Sequence, residues 1–318
     1  MKTFIGAIAL SVLALGAANA QSIGIVSTQP GSSTHSMSTA IAKVAVEKAG
    51  LQARVQAQGA SPMYGIDAGT AEFGLSNSFD NVFFVTGTGD YESDGKHPNL
   101  RVVANIVPLT TAMFVQKDSP IKQIKDLKGM RVGAGFQAQK TIGRIIEAHL
   151  ALGGLTFNDV KQVPAANVVN GADDFGAGKT DAFFFATGSA KVKEIDVKVG
   201  GLRAISVESG PEAEGRMQKI LPGAYVMNVK PGPNMDGVLG PTNLVSFDFL
   251  LMSHTRVSED VVYRLTKAIH GNKQIMVETF AGLGGFDPDQ MARPYPPLEY
   301  HPGAVKFFTE MGKWPPKK

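Results

Sequence analysis

The sequence predicts an α/β protein of two lobes, each a mostly parallel sheet flanked by helices. Short apolar strands alternate with amphipathic helical segments from residue 23 to about residue 206, a pattern typical of α/β layers. The alternation restarts after the polar stretch at residues 117–120. This restart predicts a second half that resembles the first.

The first twenty residues predict export from the cytoplasm. Lys2 supplies a positive start, residues 4–15 are largely apolar, and Ala18-Asn19-Ala20 forms a small-x-small cleavage site. The apolar stretch is too short for a stable membrane span. We therefore expect residues 1–20 to be a signal peptide that is cleaved after Ala20, and the mature protein to be periplasmic.

Composition excludes several classes of chemistry. The 318 residues contain no cysteine, so disulfides, thiolate metal sites and cysteine nucleophiles are absent. The formal net charge is only +3, and the basic residues are scattered along the chain. No nucleic-acid-binding stripe is visible, and we expect no nucleic-acid partner and a monomeric protein.

Three strand ends in the first half lead into small or polar loops. The predicted strand at 23–27 is followed by a loop at 28–33 and a helix at 34–48, which Gly50 ends. Strands at 53–58 and 73–76 lead to Gly59-Ala60-Ser61-Pro62 and to a loop at 77–80. Such loops at the carboxyl edge of a sheet indicate a ligand crevice.

The second half repeats this arrangement before the chain returns to the first lobe. We predict strands at 131–133, 160–163 and 182–186, with helices at 141–152 and from about 168. A late apolar run at 244–252 precedes a helix capped by Ser258. The expected lobes are 21–115 plus 246–318, and 116–245, joined by a hinge at 110–115 and 244–251.

Hydroxyls and free N–H groups at helix N-termini make anion sites, although one such loop alone can be an ordinary N-cap. Their recurrence favours ligand binding, with Ser32, Ser33, Thr34 and Thr141 holding an anionic group. Lys140 is either a cleft cation or a solvated surface lysine, and His35 either lines the cleft or does not. The predicted ligand-binding residues are Ser32, Ser33, Thr34, His35, Gly59, Ala60, Ser61, Asn77, Phe79, Gln137, Lys140, Thr141, Thr187, Gly188 and Ser189.

No motif predicts catalysis, a metal or a cofactor. Residues 133–138 match the dinucleotide pattern G-x-G-x-x-A, but no acidic residue ends the next strand to bind a ribose. The six histidines lack metal-ligand spacing, and His149 lies on an apolar helix face that predicts a core position. We expect a non-enzymatic protein with no metal and no cofactor.

Several segments resemble the TAXI family of TRAP-transporter solute-binding proteins. They are residues 72–78, Asp-Leu-Lys-Gly at 126–129 with its flanks, residues 181–184, and His301-Pro302-Gly303-Ala304 with Phe307, Phe308 and Gly312. The resemblance covers nearly all of the predicted mature chain. It implies a type II periplasmic binding fold, capture of a small organic acid or amino acid, and delivery to a TRAP membrane permease.

Two loops depart from that family. The chain has Ser32-Ser33-Thr34-His35 where the family usually has a Gly-Gly-Thr-Tyr-like loop. Residues 135–141 replace a Pro-Gly-Ser-Gly-Thr-like loop. The ligand is therefore expected to differ from the glutamate-like compounds of the family. Two alternatives stay open, an exported enzyme on the same bilobal fold and a ligand sensor for a membrane kinase.

Overall fold

The computed structural model describes residues 21–58, 60–136 and 139–316, so the predicted signal peptide lies outside the described residues. The strands are β1 Ser22–Ser27, β2 Gln52–Ala57, β3 Phe73–Asn77, β4 Leu100–Gln116, β5 Arg131–Ala134, β6 Lys161–Pro164, β7 Phe183–Ala186, β8 Leu202–Ala204, β9 Tyr225–Val229 and β10 Thr242–His254. The α-helices are α1 Ser33–Lys48, α2 Pro62–Ala68, α3 Ser78–Thr86, α4 Lys140–Leu152, α5 Val168–Gly176, α6 Ala190–Val199, α7 Pro211–Gln218, α8 Glu259–Gly271, α9 Lys273–Thr279 and α10 Pro302–Glu310.

Two long strands run through the centre of the molecule. β4 has 17 residues and β10 has 13, and they pair antiparallel from Thr111 opposite Val245 to Leu100 opposite His254. Around them the main sheet has the order β2-β1-β3-β10-β4-β7, with β9 also on β10 and β8 also on β4. β5 and β6 form a small parallel sheet that bridges from Val132 to Ala182, just before β7.

The buried apolar side chains form two clusters, which we call the first and second core clusters. The first combines β1–β3, the start of β4, the end of β10 and the C-terminal helices. The second combines Phe79 with buried side chains between residues 112 and 247. The change from the first to the second cluster lies between Val107 and Ala112 on β4, and the reverse change lies between Phe247 and Phe249 on β10. Both long strands therefore contribute to both clusters.

The prediction that the strands are mostly parallel is wrong. Among the named pairings of described strands, three are parallel (β1–β2, β1–β3 and β5–β6) and five are antiparallel. The antiparallel pairs all involve β4 or β10. β4 carries the chain from the first core cluster to the second and β10 carries it back, so these two strands run in opposite directions.

Most predicted elements lie within a few residues of the observed ones, but the predicted loop at 77–80 is a helix start. β3 ends at Asn77 and α3 begins at Ser78, so Asn77 is the N-cap and Asp80 lies in the first helical turn. An acid in the first turn is favourable for a helix because of the helix dipole, although the Asn77 side chain makes no capping hydrogen bond. The polar residues that suggested a loop therefore begin a helix.

His149 is a core residue, as its position on the apolar face of α4 predicted. It is fully buried, with Nδ1 2.9 Å from the Ile145 carbonyl oxygen and Nε2 3.3 Å from the Thr111 carbonyl oxygen. Burial lowers its pKa, which favours the neutral ring. His149 thus packs between α4 and β4 as a neutral ring, whose single N–H donates to one of these two carbonyl oxygens.

In the part of the chain that the structure describes, no helix is both long and apolar enough to cross a bilayer.

Phe114 tests the second core cluster. It is fully buried and stacks on Phe183 with ring centroids 5.3 Å apart. Phe114→Ala removes a large buried ring, and we expect the free energy of unfolding to fall by about 3–5 kcal/mol in urea denaturation. Val197→Ala is the control, because Val197 is 76% exposed, and its change should stay within about 0.5 kcal/mol. Equal losses in the two variants would contradict this assignment of the core.

Candidate ligand-binding site

A cavity of about 90 Å³ lies where the two core clusters meet. Its apolar wall includes Leu75 and Phe249 from the first cluster and Ile145, Phe184 and Phe247 from the second. Six of the predicted ligand-binding residues also line it: Ser32, Ser33, Thr34, Ser61, Asn77 and Thr141. Loops that are distant in sequence therefore meet at one place, with polar groups on one side and rings on the other.

The N-terminus of α1 supplies the first group of hydroxyls. Ser32 caps the helix, since its Oγ accepts a hydrogen bond from the His35 amide at 3.1 Å. The same hydroxyl donates to the Gln29 carbonyl oxygen at 2.8 Å and lies 2.7 Å from Thr28 Oγ1. Ser32 therefore holds the loop in place, while the following amides of the first turn have no intrahelical acceptor and carry the positive end of the helix dipole.

Two hydroxyl contacts near the cavity join segments that are distant in sequence. Ser33 Oγ lies 2.6 Å from Ser189 Oγ, the N-cap residue of α6. Thr141, in the first turn of α4, donates to Asp80 Oδ2 at 3.4 Å. Each contact connects a residue of the first 100 with a residue beyond 140.

Asp80 is the one carboxylate among the described residues that line the cavity, and it is only 3% exposed. Its Oδ1 accepts from the Tyr91 hydroxyl at 2.9 Å, and Ser76 Oγ donates to Oδ2 at 3.3 Å. Burial raises the pKa of Asp80 to about 7, against the lowering effect of these hydroxyls. Near neutral pH this cavity therefore holds a carboxyl group that changes readily between its charged and neutral forms.

An ion pair between Arg144 and Asp90 lies outside the cavity lining. Arg144 on α4 donates from Nε and Nη2 to the two carboxylate oxygens of Asp90 at 2.9 and 2.8 Å. The guanidinium carbon also lies 5.0 Å from the centre of the Phe83 ring. Each member of the ion pair is about one quarter exposed, at 25% and 24%. This bidentate contact joins α4 to the 3₁₀-helix at Gly89–Tyr91.

The other predicted ligand-binding residues whose side chains are described do not line the cavity. His35 and Ala60 are half-buried but do not line the cavity. Phe79 packs edge-on against Phe247 with centroids 5.1 Å apart, as part of the wall behind the lining. Thr187 bonds to Thr110 in a neighbouring groove, and Gly188 and Ser189 line a third groove.

Three predicted residues cannot be assigned to the cavity from the structure. Gly59 and Gln137 lie outside the described residues. Lys140 begins α4, but its side chain is also outside the described part. Its two readings, a cleft cation and a surface lysine, both stay predictions.

Several lining residues escaped the sequence analysis: Thr28, Ser76, Asp80, Thr111 and Gln139. Asp80 had a usable signal, because an acid stands alone in a run that is otherwise rich in phenylalanine and valine. Thr111 had little signal in the sequence, since a single threonine in a long strand is common. Gln139 is buried, and its Oε1 accepts a hydrogen bond at 2.9 Å from the amide of Val168, the first residue of α5.

The described residues contain no group of three or more histidines and acids that could hold a metal ion. A cavity of about 90 Å³ is also small for a dinucleotide. The site instead fits a compact solute with a polar end and an apolar face.

Asp80→Asn tests the buried carboxyl. Because the native pKa of about 7 lies above its ordinary value of 3.8, the unfolded chain releases this proton more readily between those pH values. The free energy of unfolding should therefore fall as pH rises through this window, by at most about 4 kcal/mol. We expect Asp80→Asn to raise the thermal midpoint relative to the wild type at pH 8 more than at pH 5. A difference independent of pH would contradict the raised pKa.

Three solved structures are similar in fold. One, described as a periplasmic transporter, is 16% identical with a TM-score of 0.59 and covers 93% of this chain and 94% of its own. A binding protein component of an ABC phosphonate transporter from Pseudomonas aeruginosa is 12% identical, with a TM-score of 0.54 and coverage of 86% and 82%. An amino acid ABC transporter substrate-binding protein from Streptococcus pneumoniae, bound to L-arginine, is 11% identical, with a TM-score of 0.50 and coverage of 82% and 94%.

These likenesses confirm the predicted α/β fold of the type II periplasmic binding proteins. At such low identities they concern the fold alone. A sequence model of the NMT1-like family matches residues 30–312, which is most of the chain. The protein therefore belongs to the NMT1-like family.

Proposed function

We propose that this protein is a solute receptor that captures a small organic acid or amino acid between two lobes. The observation that carries the proposal is the cavity of about 90 Å³, which combines helix N-termini and hydroxyls with an apolar wall drawn from both core clusters. Helix N-termini stabilise an anionic group, and the buried rings exclude water and strengthen each polar contact. Similar folds among transporter binding proteins support the same function.

The proposed lobes are residues 21–115 plus 246–318, and residues 116–245. The change of core cluster on β4 and β10 supports this division, because few residues separate the two cores on either strand. Two crossing strands are a soft connection, whereas each packed core moves as a rigid body. Ligand groups that touch both lobes would favour the closed form.

Binding is proposed in preference to catalysis. Among the described lining residues there is one carboxyl group and no histidine, so the cavity lacks a recognisable acid and base pair. An exported enzyme and a ligand sensor for a membrane kinase are the alternatives. Recovery of a bound compound unchanged after long incubation would argue against the enzyme.

We propose a periplasmic location and a TRAP-type permease as the partner. The segments that resemble the TAXI family support the permease class, whereas two structural neighbours are components of ABC transporters. Reconstituted uptake driven by an ion gradient without ATP would support the TRAP partner, and a strict need for ATP would exclude it. N-terminal sequencing of the exported protein should begin at Gln21.

A thermal-shift screen against organic acids and amino acids tests the receptor function. A true ligand at about 100 times its dissociation constant adds roughly 2.7 kcal/mol to the free energy of unfolding. Calorimetry then measures the affinity of the best ligand for the wild type and the variants below. A screen in which no acid stabilises the protein would contradict the proposed function.

Ser33→Ala combined with Thr34→Ala should weaken acid binding. Both residues line the cavity in the first turn of α1, where the helix dipole favours a negative charge. We expect a loss of about 1.5–3 kcal/mol for each charge-assisted hydrogen bond removed. Thr39→Ala on the exposed face of the same helix is the control. Unchanged affinity in the double variant would remove the α1 site.

Arg144→Gln should shift the receptor toward an open form. The variant removes the bidentate contact with Asp90 that joins the proposed lobes outside the cavity. We expect the affinity to fall roughly threefold to tenfold, in line with a partly exposed ion pair of about 1 kcal/mol. Arg264→Gln is the control, because Arg264 bonds to Asp260 and to the Ala49 and Gly50 carbonyl oxygens, which all lie in its own proposed lobe.

Solution scattering measures closure directly. The radius of gyration should fall when ligand saturates the wild type, and Arg144→Gln should need more ligand for the same fall. A radius unchanged at saturation would contradict hinged closure.

A further inference from the structure

We propose that Asp80 and Asn77 form an acceptor subsite for a hydrogen-bond-donating group of the ligand, an ammonium or a hydroxyl. The receptor would then select amino or hydroxy acids over acids that lack a donor. This inference rests on the proposed function and narrows its ligand class. Both side chains line the cavity, and they are only 3% and 9% exposed.

Asn77 supplies an acceptor without a partner. It is the N-cap residue of α3, a position where an asparagine oxygen ordinarily accepts from the first turn of the helix. Here the side chain makes no such capping bond, and its Oδ1 is buried with no hydrogen-bond partner among the described residues. Buried polar atoms are nearly always paired, so an orphaned oxygen in a cavity wall indicates a missing donor.

Asp80 supplies a second acceptor close by, three residues further along the same helix start. The Tyr91 hydroxyl donates to Oδ1 at 2.9 Å, but the two donors to Oδ2 are long, at 3.3 Å from Ser76 and 3.4 Å from Thr141. An ionised carboxylate offers about four lone-pair sites, so Oδ2 retains capacity for a stronger donor. A ligand ammonium would be such a donor and would also balance the buried charge.

The rest of the cavity prefers the opposite charge. The first turn of α1 places Ser33 and Thr34 in the cavity wall at the positive end of that helix, whereas Thr141 donates to Asp80. An acid group fits there and a donor group fits at Asp80 and Asn77. The two requirements together describe an amino or hydroxy acid, whereas a simple acid would leave the acceptors unpaired.

The same geometry predicts how pH acts on binding. The titratable and charged groups that act on Asp80 are Tyr91 and Asp90 of the 3₁₀-helix, Tyr64 of α2 and Arg144 of α4. An ammonium group needs the ionised form of Asp80, whose pKa is raised to about 7 by burial. Affinity for an amino acid should therefore fall up to tenfold for each pH unit below about 7 and should level off above it.

Calorimetry with matched compounds tests the subsite. The probes are two trios: L-alanine, L-lactate and propionate, and L-glutamate, 2-hydroxyglutarate and glutarate. In the trio that binds, we expect the amino acid, the hydroxy acid or both to bind at least tenfold more tightly than the acid without a donor. Equal binding of the acid without a donor would overturn the subsite and leave the receptor function standing. Failure of every acid would overturn the receptor function itself.

Two variants separate the subsite from a structural role. Asp80→Asn keeps the shape and removes the charge, so affinity for the amino acid should fall at least tenfold and its dependence on pH should vanish. Asn77→Ala should weaken the amino and hydroxy acids more than the acid without a donor. Asp196→Asn is the control, because this carboxylate lies on α6, is not part of the cavity lining, and accepts from the Leu202 amide of β8. The thermal midpoint shows whether each variant folds. The proposal would be overturned if the Asp80 and Asn77 variants fold and bind every member of a trio as the wild type does.

Discussion

The antiparallel pairing of β4 with β10 is the constraint on which the rest of the structure depends. Both strands pass from one core cluster to the other, so each strand contributes to two hydrophobic cores. Their register shifts between Phe249 and Leu250, beside the change of cluster on β10. A bulge bends a strand and increases its local twist. The cavity lies beside this register shift, since Phe247 and Phe249 both line it.

The alternation of side chains along β10 gives the two faces of the crossing different chemistry. Phe247 and Phe249 point into the cavity, and Asp248 between them lies on the opposite face, only 6% exposed. Three side chains from two distant segments hold its carboxylate, with polar atoms at 3.4, 2.8 and 2.7 Å: Tyr225, Arg293 and Tyr295. Burial raises the pKa of Tyr225 to about 12, which keeps its hydroxyl a donor. β10 therefore presents an apolar face to the cavity and, on its opposite face, a carboxylate with hydrogen-bond and ion-pair partners.

The electrostatics of the cavity combine two opposing tendencies. Helix N-termini make one part favourable for an anion, and Asp80 makes another part unfavourable for it when ionised. Burial determines the balance, because desolvation is the largest influence on the Asp80 carboxyl and exceeds that of its three hydroxyl donors. The proposed receptor would thus distinguish ligands by where their charges lie as well as by size. Such discrimination is what a receptor of amino or hydroxy acids needs.

The sequence by itself determined the α/β class, the approximate bounds of most of the elements it predicted and the buried position of His149, since hydrophobic periodicity and capping are local properties. It also indicated six cavity residues, because polar residues at helix starts have a local signature. Only the tertiary structure decided the strand directions, which depend on how β4 and β10 pair across more than 100 residues of chain. Likewise, only the fold brought Asp80, Asn77 and Thr141 to one cavity and buried them together. Burial and long-range pairing are properties of the packed chain, so no local pattern in the sequence records them.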